Sequence, residues 1–166
     1  NITPYEILYT SHLTQADIKE IHIVEHMLEI YHNKGYFGHR FRNILIHKKS
    51  PYQFFKELGI SYINKGLKLH RYQLEGVYNH LFDFLSEKEK FEVIKDYLER
   101  TNIKPKLFFD TIKDKETRRN VYNLLSKDVA IDINDYYKYC VVVVHNGVYF
   151  IRNYKKNDSY IIKAAS

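Results

Sequence analysis

Over most of the first 125 positions, apolar residues recur every three or four places, the spacing of helices that bury one face. After a short extended stretch at positions 4 to 9, Thr14 and Asp17 read as N-cap and N3 of a helix running to about Asn33, with Gly35 as its stop. Successive side chains lie about 100° apart on such a helix. Ile21, Val24, Met27, Leu28 and Tyr31 then form its core stripe, while His22, Glu25, His26 and Glu29 fall on the other side. Phe37 to His47 is a second helical segment behind a break at Gly38. Pro51 opens a third that buries Phe54, Phe55, Leu58, Tyr62 and Ile63 and closes at Gly66. Gly59 inside it reads as a weak point costing about 1 kcal/mol against Ala.

A fourth helix is expected over His70 to Phe84, with a broad apolar surface that includes Tyr72, Val77, Tyr78, Leu81 and Leu85. Ser86 with Glu89 makes a capping box for a fifth, through Arg100, and Pro105 ends that run. Asp114 caps a sixth that buries Val121, Tyr122, Leu124 and Leu125. From Tyr137 the pattern changes. Val141 to Val144 and Val148 to Ile151 flank Asn146 and Gly147, and Asn-Gly tolerates positive φ at both central positions of a two-residue hairpin turn. Tyr160 to Lys163 supplies a third strand, which matters because a lone hairpin is marginal in water. The expected fold is therefore mainly α: a multi-helix bundle over about 1–127, carrying a small C-terminal antiparallel β-hairpin or meander over about 136–164.

Composition narrows the class. The 166 residues, 45% hydrophobic and 28% charged, suit one folded domain rather than a disordered chain. The longest apolar run, Cys140 to Val144, is far short of the roughly 20 residues a bilayer span needs, so no membrane is expected. Residue 1 is Asn and no leader-like segment follows it, which points to a processed chain or a C-terminal fragment of a larger protein. The single cysteine, Cys140, excludes an internal disulfide and any site built from several thiolates, and fits a cytoplasmic protein. A formal charge of +6 is spread along the chain and gives only a weak pointer to anionic partners.

Three groups of residues could carry chemistry. His22, Glu25 and His26 spell HxxEH, in which two imidazoles one turn apart could grip zinc beside a carboxylate base, with Glu92 or Glu99 as conceivable third ligand. That makes a zinc-dependent hydrolase one alternative, although both histidines lie opposite the core stripe, where solvated polar residues usually sit. Lys65, Lys68, His70, Arg71 and Tyr72, with Tyr62, Arg118 and Arg119, could form a basic aromatic surface for single-stranded nucleic acid. No helix-turn-helix spacing, RNP-like strand or zinc knuckle accompanies them, so that partner is disfavoured. Asp132 and Asp135 lack the closing Glu and the additional oxygens of a calcium loop. Cys140 begins an apolar run and reads as a buried thiol rather than a nucleophile.

The segments PYEILYTSHLTQADI at 4–18, IVEHMLEIYHNKGYF at 23–37 and SPYQFFKELGISYINKG at 50–66 resemble the uncharacterised C-terminal domain of a group of cobalamin-binding radical SAM proteins. Tyr72 to Phe84 continues the likeness more loosely. It departs at Ile63, where a Trp is expected, and it is not followed beyond Asn102. The resemblance implies a parent enzyme in which a cobalamin-binding domain precedes a radical SAM barrel, with a 4Fe-4S cluster that cleaves S-adenosylmethionine. Such parents are often named after the anaerobic Mg-protoporphyrin IX monomethyl ester oxidative cyclase. One cysteine cannot supply the cluster motif CxxxCxxC, so this chain cannot perform that chemistry by itself. The resemblance implies no catalytic or cofactor-binding residue here. It implies a non-catalytic accessory domain whose partners are the barrel and cobalamin-binding domain of the same polypeptide. Candidate interface residues are Leu8, Tyr9 and Thr10, together with His22, Glu25, His26 and Glu29.

Overall fold

The computed structural model describes residues 13–106 and 109–164. The expected extended stretch at 4 to 9, with Leu8, Tyr9 and Thr10, lies outside them. The chain is mainly α with a C-terminal antiparallel sheet, as the apolar periodicity predicts, and it forms two compact units. Of the described residues, 13–36 and 45–72 make the first, and 37–44 with 73–106 and 109–164 make the second.

In the first unit, helix α1 (Gln15–Leu28) starts at a reciprocal capping box. The Asp17 amide donates to Thr14 Oγ1 over 3.1 Å, and the Thr14 amide donates to Asp17 Oδ2 over 2.9 Å. The helix does not run on unchanged to Asn33. Glu29–Asn33 is a single wide π turn, in which the Lys34 amide reaches back five residues to the Glu29 carbonyl over 3.2 Å. The wider turn shifts the register, so that neighbouring Ile30 and Tyr31 are both buried with Val24 and Met27, whereas Ile21 and Leu28 are only half-buried. Gly35, at φ +69°, ends the segment. Helix α3 (Pro51–Asn64) begins at Ser50, whose Oγ accepts the Gln53 amide, and buries Phe54, Phe55, Leu58 and Tyr62. Ile63, expected inside, is 42% exposed.

Helices α1 and α3 pack on each other, and Gly59 is where they come closest. A Cβ placed there would stand 2.3 Å from Ile23 Cγ2 and 2.9 Å from Met27 Cγ. The β-branched Ile23 has one strongly preferred rotamer in a helix and cannot swing its methyl aside. Gly59 is thus not the weak point its helix propensity implies: the missing side chain is what lets the two helices approach.

The second unit holds α2 (His39–Ile46) in its first part, then α4 (Leu74–Phe84) and α5 (Glu87–Arg100). The fourth helix starts four residues later than expected, because Arg71 takes φ +54° and Gln73 is extended. At α5, the Ser86 amide and hydroxyl both donate to Glu89 Oε1. This helix ends at Thr101, whose hydroxyl donates to the Tyr97 carbonyl, before Pro105 is reached. After the two-residue strand β1 (Asp110–Thr111) come α6 (Lys115–Leu125) and α7 (Ile133–Tyr139).

The last helix corrects the expected strand start at Tyr137. Asp132 Oδ1 accepts the amides of Asn134 and Asp135 at 2.9 and 3.1 Å, nucleating about two turns from a tyrosine-rich segment that by propensity favours strand. Strands β2 (Cys140–His145), β3 (Val148–Asn153) and β4 (Asp158–Lys163) follow, in the sheet order β1-β2-β3-β4 with every pair antiparallel. Asn146 and Gly147 take φ +46° and +73°, as the hairpin turn demands.

Both faces of the β2–β3 pair are covered, which explains why CysValValValVal is continuously apolar instead of alternating. Cys140, Val142 and Ile151 join Val121, Leu125 and Tyr136 of α6 and α7 in one core. On the opposite face, Phe150 meets Phe91 of α5 at 5.9 Å between ring centroids. No described helix is long and apolar enough to cross a membrane.

The two glycines within helices should respond oppositely to the same substitution. Gly59→Ala gains helix propensity but overpacks the α1–α3 contact, and should lower stability by up to about 2 kcal/mol net. Gly76→Ala in α4 has open space around its Cβ and should raise stability by about 0.5–1 kcal/mol. Urea unfolding midpoints of the two variants decide this, and a stabilised Gly59→Ala would contradict the packing argument.

Candidate functional site

The HxxEH residues lie along α1 and serve one another. His22 Nδ1 is 3.1 Å from Glu25 Oε2, with both side chains close to half exposed. The His26 ring meets the His70 ring edge-on at 6.1 Å, and Glu29 Oε2 accepts from Asn33 Nδ2 across the π turn. Glu92 and Glu99, conceivable third ligands, are held by Arg40: its Nη1 and Nη2 donate to the two Glu99 oxygens at 2.7 and 3.1 Å, and its Nε lies 3.4 Å from Glu92. Among the described residues, no three His, Cys, Asp or Glu side chains come together as a metal site. The α1 face is therefore a half-exposed polar surface of two histidines and two carboxylates, suited to contact with another polar surface.

The basic aromatic set divides between the two compact units. Tyr62 is buried and its hydroxyl donates to the Lys68 carbonyl over 2.5 Å, so it shapes the loop after α3. Tyr72 lies under Lys34 Nζ, 5.3 Å from the ring centroid, with Tyr36 edge-on at 6.4 Å. Arg118 and Arg119 belong to the other compact unit. There Arg118 sits 5.5 and 5.2 Å from the Tyr136 and Tyr137 rings and donates to the Cys140 carbonyl at 3.1 Å, while the Tyr136 hydroxyl donates to the Arg118 carbonyl at 2.7 Å. This arginine clamps α6 to α7 and the start of β2. Burial pushes the Cys140 thiol up to about 11, so it is protonated and inert at neutral pH. Asp132, considered for calcium, is spent on capping α7.

Periodicity gave no warning of a buried carboxylate in the second unit. Asp96 of α5 is 2% exposed. Its Oδ2 accepts from the Tyr78 hydroxyl at 2.9 Å, and its Oδ1 accepts from the Gly38 amide, just before α2, at 3.3 Å. A Cβ on Gly38 would lie 3.1 Å from both Asp96 Oδ1 and Arg100 Nη1, which is why the position needs a minimal side chain. Burial raises the Asp96 carboxyl above the ordinary aspartate value. The Tyr78 hydroxyl, the charges of Arg100 and Arg40 and the Gly38 amide pull the other way and only partly offset it. Burial, with Asp96 alongside, likewise raises the Tyr78 hydroxyl. The only sequence signal was an acidic residue inside the apolar stripe Ile94, Tyr97, Leu98.

Also unforeseen is a polar cleft of about 550 Å³ in the second unit, between the end of α5 and the β3–β4 turn. Glu99, Arg100 and Asn102 line one side of it, and Arg152, Asn157 and Ser159 the other. Arg152 is the one buried cation among the described residues, with 4% exposure.

A sequence family described as proteins of unknown function, DUF4080, matches residues 1–158. The match extends well beyond residue 102, where the resemblance read from the sequence stops. No curated protein and no solved structure matches the chain.

Two outcomes check these assignments. Asp96 holds its proton more tightly in the folded than in the unfolded chain, so its contribution to stability is fully present below the ordinary aspartate value and is lost as pH rises through the raised one. Asp96→Asn removes that loss. The stability difference between the original chain and the variant should therefore shift toward the variant from about pH 4 to pH 7, read by urea unfolding across that range. A pH-independent difference would show that the carboxyl titrates normally. Separately, Cys140 should react with a thiol reagent at neutral pH only after denaturation.

Proposed function

Since the chain belongs to the DUF4080 family, we propose that it is a non-catalytic C-terminal accessory domain of a cobalamin-binding radical SAM enzyme, packed on the catalytic barrel of the same polypeptide. The parent would resemble proteins of the Mg-protoporphyrin IX monomethyl ester oxidative cyclase type, with the 4Fe-4S cluster, S-adenosylmethionine and cobalamin all held outside this chain. The observation that carries the reading is the near end-to-end family match, on a chain whose first 66 residues resemble that domain segment by segment. The single cysteine agrees, since a cluster needs three. So does the use of polar groups: the buried Asp96 and Tyr78 and the half-buried Arg118 tie elements of the fold together.

The role follows from the chemistry of the parent. A radical intermediate must be kept from water and from side reactions, and a domain lying over the open end of a barrel excludes solvent and shapes the substrate entrance. The α1 face with His22, Glu25, His26 and Glu29 is the surface we assign to that contact, with Leu8, Tyr9 and Thr10 preceding it in the chain. A cytoplasmic setting goes with this reading.

The coding sequence upstream of Asn1 is expected to encode a cobalamin-type domain followed by CxxxCxxC within a βα-repeat; a reading frame that opens beside Asn1 would end the proposal. The docking face has its own check. Modification of His22 by diethyl pyrocarbonate should be slower in the full-length polypeptide than in the 166-residue chain, and equal rates would remove α1 as the contact surface.

A further inference from the structure

We propose that the cleft between the end of α5 and the β3–β4 turn is a binding site for a small oxyanion, a phosphate or carboxylate group, read by Arg152. A guanidinium is always protonated and is expensive to bury unless an anion or a full set of acceptors compensates it. Arg152 is 4% exposed, yet it forms no ion pair with any carboxylate of the described residues. Its Nη1 donates to Ser159 Oγ at 3.2 Å and its Nη2 to Asn157 Oδ1 at 3.5 Å, both neutral acceptors, while its buried Nε has no hydrogen-bond partner. The Tyr154 ring, 5.9 Å from the guanidinium carbon, adds a weak cation–π contact.

The surroundings leave the charge uncancelled. Of the two carboxylates that line the cleft, Glu99 is neutralised by the bidentate fork of Arg40. Asp158 is beyond ion-pair distance of Arg152 and accepts from the Tyr160 hydroxyl at 3.4 Å. Arg100, whose charge also acts on Asp96, lines the same cleft with a second guanidinium. Asn102 and the Ser159 hydroxyl bring neutral donors, and a volume of about 550 Å³ accommodates a small molecule bearing such a group. Carboxylate and phosphate groups are what guanidinium forks recognise best, through charge-assisted paired hydrogen bonds. The site lies wholly within the second compact unit, and the inference does not depend on the parent enzyme.

The test uses the 166-residue chain labelled with nitrogen-15, titrated separately with inorganic phosphate and with acetate at ionic strength held constant by chloride. Amide and arginine Nε–H resonances are followed throughout. The proposal expects saturable shifts confined to residues 99–102 and 152–159. Phosphate saturating first identifies a phosphoryl ligand, and acetate saturating first identifies a carboxylate. Because replacing the buried Arg152 could unfold the unit, the variants are Ser159→Ala and Arg100→Gln, both at exposed positions. At least one should weaken binding by about threefold or more, the share of one charge-assisted hydrogen bond or more. Shifts that never saturate, that spread over the surface lysines, or that neither variant alters would overturn the site.

Discussion

The second unit depends on one buried carboxylate. Asp96 joins three elements that are distant in sequence: its own helix α5, Tyr78 of α4, and the Gly38 amide that leads into α2. Around it Phe37 lies 4.2 Å from the Tyr78 ring and Tyr97 meets Tyr78 edge-on at 5.1 Å, so the polar contacts are enclosed by aromatic carbon. In such surroundings each hydrogen bond is strengthened, and losing one leaves a buried donor or acceptor at a cost of about 1–3 kcal/mol. This is the physical reason that residues 37–44 belong with the second unit although their sequence neighbours on both sides belong to the first.

A similar economy of polar groups recurs at the sheet. Arg118 lies beside two tyrosine rings and donates to backbone carbonyls where α7 hands over to β2, while the Tyr136 hydroxyl returns a hydrogen bond to the Arg118 carbonyl. With helices on both faces of β2 and β3, Cys140 becomes a core residue and its thiol is held protonated. Titratable groups that could have suggested catalysis are thus employed in holding the fold. Arg152 differs from Arg118 in depth, being 4% exposed where Arg118 is only half-buried, and its side-chain acceptors are the neutral Ser159 and Asn157.

The chain is a member of the DUF4080 family. The polar face of α1 and the Arg152 cleft lie in different units and make different demands, one suited to a polar protein surface and the other to a small anion.

Local interactions made much of the fold legible from the residues alone. Capping pairs at Thr14–Asp17 and Ser86–Glu89, the Pro51 and Asp114 starts, the Gly35 and Gly66 stops and the Asn146-Gly147 turn all act within four residues, and each appears where the sequence places it. The polar side of α1 was legible for the same reason, since His22, Glu25 and His26 are spaced to share a side of one helix whatever the rest of the chain does. Tertiary structure decided what depends on distant neighbours. Gly59 changed from a weak helical position to a required close approach because Ile23 and Met27 stand against it, 36 and 32 positions earlier in the chain. Asp96 found its partners 18 and 58 residues away, and Arg152 became a buried, uncompensated cation only when β3 was covered. Periodicity records which side of an element faces inward; it carries no information about what will be waiting there.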